Sequence, residues 1–176
     1  LGITHWEPPI PQDLDAKGGL PYGMEKTDED RWQSLDFIPF GEIVDVTLKI
    51  DGQSFSAYCR ILKLIGAGDE NKIVSTGICG RTMEYKLDSI NNFTHNEKRY
   101  GILRKLTNFC ITNNISLCIR GEQHGAGINR CKVNYHSTLP LSIAFFSTWL
   151  IDEHRYARKG EKYYIHNIIK QLDLPA

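Results

Sequence analysis

The sequence has no surplus of charge of either sign: 21 lysines and arginines balance 21 aspartates and glutamates, for a formal net charge of zero. A free-standing nucleic-acid binder draws much of its affinity from neutralising phosphates and carries a basic excess. The balance therefore counts against that class, and less against an enzyme whose charge is local. Long apolar runs are also missing. No stretch reaches the ~20 consecutive apolar residues of a membrane-spanning helix, and a soluble, cytoplasmic protein is expected. The cysteines Cys59, Cys79, Cys110, Cys118 and Cys131 never adopt the C-x-x-C spacing of a zinc or redox site. They read as buried, reduced thiols, which makes Asn92-Phe93-Thr94 and Asn114-Ile115-Ser116 chance matches to a glycosylation signal. Proline is scarce after residue 40, because Pro8, Pro9, Pro11, Pro21 and Pro39 all precede it.

What remains is an ordinary folded composition. Of 176 residues, 41% are hydrophobic and 24% charged, enough for one domain with a core. Residues 1–40 read as a Pro-rich linker or extended arm, poor in helix and sheet. Within it, Thr27-Asp28-Glu29-Asp30 reads as the start of a short helix carrying Trp32 and Leu35. From Glu42 the pattern changes. Ile43, Val44, Val46, Leu48 and Ile50 lean towards the alternation of a strand that ends at a turn, Asp51-Gly52. Further strands fit Phe55 to Leu64 and Lys72 to Ile78, the latter continuing through Met83 to Leu87.

Thr94 and Glu97 have the spacing of a capping box. Behind them Tyr100, Leu103, Leu106 and Cys110 form one apolar helical face, which Asn113-Asn114 ends. A strand over residues 115–120 runs into Gly121, an apolar strand fits Leu141 to Ile151, and a last helix fits Glu161 to Leu172. The order β-β-β-α-β-β-α predicts an α+β domain on an antiparallel sheet. The chain opens at Leu1 without methionine and closes on Leu174-Pro175-Ala176, so an incomplete domain is expected.

Four segments carry candidate chemistry. Lys49-Ile50-Asp51-Gly52 puts a lysine and a carboxylate two residues apart at a strand end, on one face. A lysine attacks only as the free amine, and its ordinary pKa of ~10.4 must be depressed by desolvation or a nearby cation. The glycine lets a phosphate or another backbone approach. Gly121-Glu122 opens a second segment that continues through Gly125 and Gly127 to Asn129. It is not a phosphate-binding P-loop, because no Gly-Lys-Ser/Thr follows. Glu122 could hold a ribose hydroxyl or orient the lysine. The third is Gly77-Ile78-Cys79-Gly80-Arg81, a strand end delivering an arginine. The fourth is Ala144-Phe145-Phe146-Ser147, where an aromatic could stack on a purine. Taken singly, each has a plain reading as a surface ion pair, a glycine turn or a core phenylalanine.

Their order resembles the covalent nucleotidyltransferases, the superfamily of ATP-dependent DNA ligases, RNA ligases and mRNA capping enzymes. Gly-Glu-x-x-Gly-x-Gly-Ile at 121–128 is similar to the RNA ligase form of the third motif. Lys26-Thr27-Asp28-Glu29 and Cys79-Gly80-Arg81 look like the branch with an OB-type domain ahead of the ligase domain.

The resemblance implies an ATP-grasp-like α+β ligase domain, partial, over 41–176. Lys49 would become the lysyl-AMP nucleophile. Glu122 would contact the ribose, Phe146 would stack on adenine, and Arg81 would act at the nucleotide and RNA-end steps. Leu48, Asp51, Gly52 and Ser54 would complete the nucleotide site. ATP, Mg2+ or Mn2+, and RNA ends bearing a 3′-hydroxyl and a 5′-phosphate would be the partners. Ser54 stands where RNA ligases usually place asparagine, and Ser147 where aspartate often follows the aromatic. No Glu-Gly pair of the fourth motif and no paired lysines of the fifth are present, so the segment alone is expected to be weak or inactive. A DNA ligase or capping-type enzyme, and a catalytically inactive module binding nucleotide or RNA ends, remain as alternatives. The basic stretch from Arg155 to Lys162 reads as a solvated loop.

Overall fold

The computed structural model describes residues 14–26, 41, 48–62, 73–129 and 135–175. The strand expected to lead into Lys49 falls mainly on residues 42–47, and the short helix expected from Thr27 falls on 27–40. Both lie outside the described residues. The described strands are β1 (Ala16–Gly19), β2 (Gln53–Leu62), β3 (Ile73–Cys79), β4 (Met83–Tyr85), β5 (Leu117–His124), β6 (Ser142–Leu150) and β7 (Arg155–Tyr156). They form one seven-stranded sheet in the order β1-β4-β3-β2-β5-β6-β7, antiparallel at every pairing. The helices are α1 (Asn92–Tyr100), α2 (Ile102–Asn113) and α3 (Ile165–Leu172).

Strand alternation sorts the side chains into two layers. Phe55, Ala57, Cys59, Ile78, Leu117, Ile119, Ile143 and Phe145 project to one face. There they meet Phe93 of α1, Ile102, Leu106 and Cys110 of α2, and Ile165, Ile168 and Leu172 of α3. Burying each such aliphatic side chain contributes roughly 1.5–3 kcal/mol. The apolar stripe predicted for the last helix is the one buried, although the helix begins at Ile165 rather than Glu161. On the other face, Tyr58, Cys79, Cys118, Trp149 and Ile151 form a smaller cluster with Met24, and Leu20 packs beside it. The helices therefore cover one face, while the segment around residues 20–26 lies on the second.

Four local expectations need correction. The stretch read as an arm without sheet contributes β1, whose register places Ala16 opposite Tyr85. The single strand expected to run from Lys72 towards Leu87 breaks into β3 and β4 around a bend at Arg81-Thr82. The helix begins one turn early. Asn91 is the N-cap, its side chain accepting from the Thr94 N–H while the Thr94 hydroxyl accepts from the Asn91 N–H, so Thr94 is the last residue of the box and not its first. Gly101, at φ 59°, then divides the predicted helix into α1 and α2. Its left-handed conformation is one a side chain adopts only under strain.

Candidate nucleotide site

The end of the sheet where β2 begins gathers the four segments. Leu48, Lys49 and Asp51 are all exposed in the approach to β2. Gly52 presses against β5. A Cβ there would stand 2.1 Å from the Gln123 carbonyl oxygen, so no side chain fits without moving backbone. The close contact brings the Gly52 N–H to the Glu122 carboxylate at 3.1 Å.

Glu122 lies within β5, which runs on to His124 instead of ending at Arg120 as expected. It sits opposite Ser54 on β2 and Ala144 on β6. Burial pushes its carboxyl pKa up; the Gly52 N–H and the Lys49 charge pull it back, and Asp51 adds to the rise. Glu122 thus senses both charged residues of the lysine turn.

The segment after β5 folds over the same turn. Gly125 and Gly127 have φ of 108° and 91°. The Ala126 N–H donates to Leu139 O at 2.9 Å, the Ile128 N–H donates to Gly125 O at 3.1 Å, and Ile128 is buried. Asn129, at φ 40°, ends this stretch. Its Nδ2 donates to Asp51 Oδ1 at 3.2 Å and to Gly52 O at 2.7 Å.

Phe146 owes its position to a bulge. Gly121 pairs with Phe145 and Arg120 with Ser147, so Phe146 is the extra residue between two registers. It is 47% exposed, whereas Phe145 is buried against Phe55. Arg81 is exposed in the bend after β3. Cys79 pairs with Ser56, so that bend leaves the sheet at the end where β2 enters. Lys49, Asp51, Gly52, Ser54, Glu122, Phe146 and Arg81 therefore share one end of the sheet, with direct bonding between Gly52 and Glu122.

Sequence reasoning missed the role of two residues here. Asn129 stands at the end of the glycine segment, where nothing in the sequence marks it. Arg120 closes the strand expected over residues 115–120, and period-two alternation places it on the face of Glu122 and Cys118. It is fully buried, donates to the Tyr156 hydroxyl and to Glu25 O at 2.7 Å, and lies 5.2 and 5.3 Å from the Trp149 and Tyr156 ring centroids. Among the described residues, no group of three or more His, Cys, Asp or Glu converges to hold a metal ion. A nucleotide-bound Mg2+ or Mn2+ takes one or two carboxylates, with phosphates and waters filling the rest.

No protein-family model matches the sequence, and none of the curated proteins does. Solved structures do match. An arginine-to-alanine mutant of Naegleria gruberi RNA ligase with ATP and Mn is 29% identical at a TM-score of 0.66, over 98% of this chain. The chain is similar along its length to an RNA ligase. A lysine-to-methionine mutant of that ligase with AMP and Mn gives 28% identity and a TM-score of 0.65; the form with PPi gives 30% and 0.66, each over 98% of the chain. The chain spans 46% of the ligase's length in all three. Its antiparallel α+β sheet is the RNA ligase nucleotidyltransferase fold, present in part, in agreement with the order of motifs.

Proposed function

We propose that the chain is the lysine-bearing half of an ATP-dependent RNA ligase. The Lys49 amine attacks the α-phosphorus of ATP. A P–N bond forms, the bond to the bridging oxygen breaks, pyrophosphate leaves with that electron pair, and the amine gives up a proton. AMP then passes to the 5′-phosphate of a broken RNA, and a 3′-hydroxyl displaces it to form the phosphodiester. In this reading Glu122 receives the ribose, Phe146 stacks on adenine, and Leu48, Asp51, Gly52 and Ser54 line the nucleotide. Arg81 meets phosphate as the nucleotide and RNA end change places. Mg2+ or Mn2+ offsets charge on the phosphates. The buried thiols suit a cytoplasmic setting.

One observation carries the proposal: the Lys49 turn is bonded through Gly52 to Glu122, at the sheet end where Phe146 stands out, in a chain similar to an RNA ligase. The fourth- and fifth-motif residues would come from the part of the ligase's length that this chain does not span. The test is incubation with α-labelled ATP and manganese, comparing the full-length protein, its Lys49→Ala variant and residues 1–176 alone. Label that survives denaturation in the full-length protein, and is lost in Lys49→Ala, is expected; the 176-residue chain alone should label weakly or not at all. Equal labelling of Lys49→Ala would remove Lys49 as the nucleophile.

A further inference from the structure

We infer that Asn129 is a positioning residue for the Lys49 turn, setting the geometry of the attack rather than touching the nucleotide. The inference rests on the proposed role of Lys49. An amide nitrogen has two hydrogens. Those of Asn129 reach two acceptors in the one turn, the Asp51 carboxylate at 3.2 Å and the Gly52 carbonyl at 2.7 Å. From the other side, the Gly52 N–H is held by Glu122 at 3.1 Å. The peptide groups flanking Gly52 are thus fixed on both sides, and the lysine three residues earlier starts from a defined backbone.

The clamp has a firm base. Asn129 follows Ile128, which is buried and closes a turn onto Gly125, and that loop is bonded to Leu139. Asparagine suits the site twice over. It tolerates a positive φ better than other side-chain-bearing residues, and it brings a neutral donor to two oxygens. Aspartate of the same shape would set a carboxylate, without donors, against the Asp51 carboxylate and a carbonyl. Serine or alanine could not span both acceptors.

Glycine separates the clamp from the backbone strain, because it accepts the same positive φ and removes the side chain that bonds to the turn. In the full-length protein, Asn129→Gly is expected to slow single-turnover lysyl-AMP formation about tenfold or more, since small misplacement of a reacting group has effects of that order. The KM for ATP should stay within about threefold. Asn129→Asp should slow the step further. Amide hydrogen exchange over residues 50–53 should quicken in Asn129→Gly, which tests the clamp without reference to catalysis. If the wild type labels, and Asn129→Gly matches it in both rate and exchange, the inference is overturned. If the wild type itself fails to label, the ligase reading falls, and exchange alone decides whether Asn129 holds the turn.

Discussion

Phe145 packs edge-on against Phe55 with ring centroids 6.2 Å apart, while Phe146, the next residue, stands half in solvent. The two should answer truncation differently. Phe145→Ala removes a buried ring and is expected to cost about 3–5 kcal/mol in denaturant unfolding. Phe146→Ala should leave unfolding nearly unchanged and weaken ATP binding in the full-length protein about tenfold, in line with a lost aromatic–base stack. Equal nucleotide binding by the two proteins would exclude stacking on Phe146. Glu122 makes a pH-dependent prediction. Its folded pKa is raised chiefly by burial, so the folded state holds the proton more tightly than the unfolded one. Stability therefore falls as pH rises from the ordinary carboxyl range through the folded pKa. Unfolding curves of Glu122→Gln should lack that decline, and the variant should gain on the wild type as pH rises across the window. At this scale the candidate segments could be picked out of the sequence because of their order along the chain, since lysine, glutamate, glycine and phenylalanine are each common in it. Asn129 and Arg120 could not, since nothing local distinguishes an asparagine that clamps a turn from one that faces water.

Among the elements, the β5–β6 pair decides where the candidate site lies. Gly121 allows the register change: a Cβ there would meet the Ala144 carbonyl oxygen at 2.6 Å and Ile143 Cγ2 at 3.0 Å. Gly121→Ala should therefore force the two strands apart. A loss of about 1–3 kcal/mol, the usual scale for overpacking, is expected by chemical denaturation together with weaker ATP binding. Wild-type stability in that variant would show that the strands accommodate the methyl group. Strand and helix identities were legible in β2, β5, β6 and α3, where period-two or helical spacing extends over many residues. The ends were not. Thr94 and Glu97 imitate a capping box, but the real one starts three residues earlier at Asn91, whose amide serves equally well as a cap. Gly101 is an ordinary cost inside a helix on paper; in the fold it is the left-handed joint between two of them.

Over the described residues, the molecule is a sheet with unequal coverings. Three helices pack on one side, and on the other the segment over residues 20–26 is tied down by Arg120 to Glu25 O and by the Trp149 indole N–H to Gly23 O at 3.0 Å. Replacing Arg120 with methionine would keep much of the volume and leave the Glu25 carbonyl and Tyr156 hydroxyl without their donor. Limited proteolysis should then cut within residues 20–26 faster than in the wild type, and an unchanged cleavage rate would show that the guanidinium does not hold the segment. The sheet class and the apolar faces of the helices could be foreseen from the sequence, because apolar periodicity encodes them. β1 and the second covering could not. β1 is held by its pairing with β4, and the second covering by a buried cation reaching across 95 positions to a carbonyl; no local pattern announces either.

The two coverings also give the molecule a pair of chemical timers. Cys79 and Cys118 lie on the side that Met24 helps to roof, Cys59 and Cys110 beneath the helices, and all four are free and shut away from solvent. Burial pushes the Cys118 thiol up to about 11 and also raises Cys79, so neither presents much thiolate to an alkylating reagent in the native state. Pulsed alkylation read by mass spectrometry, cysteine by cysteine, would then date the loss of each covering separately: early adducts on Cys79 and Cys118 would mean that the roof over residues 20–26 lifts before the helical floor gives way.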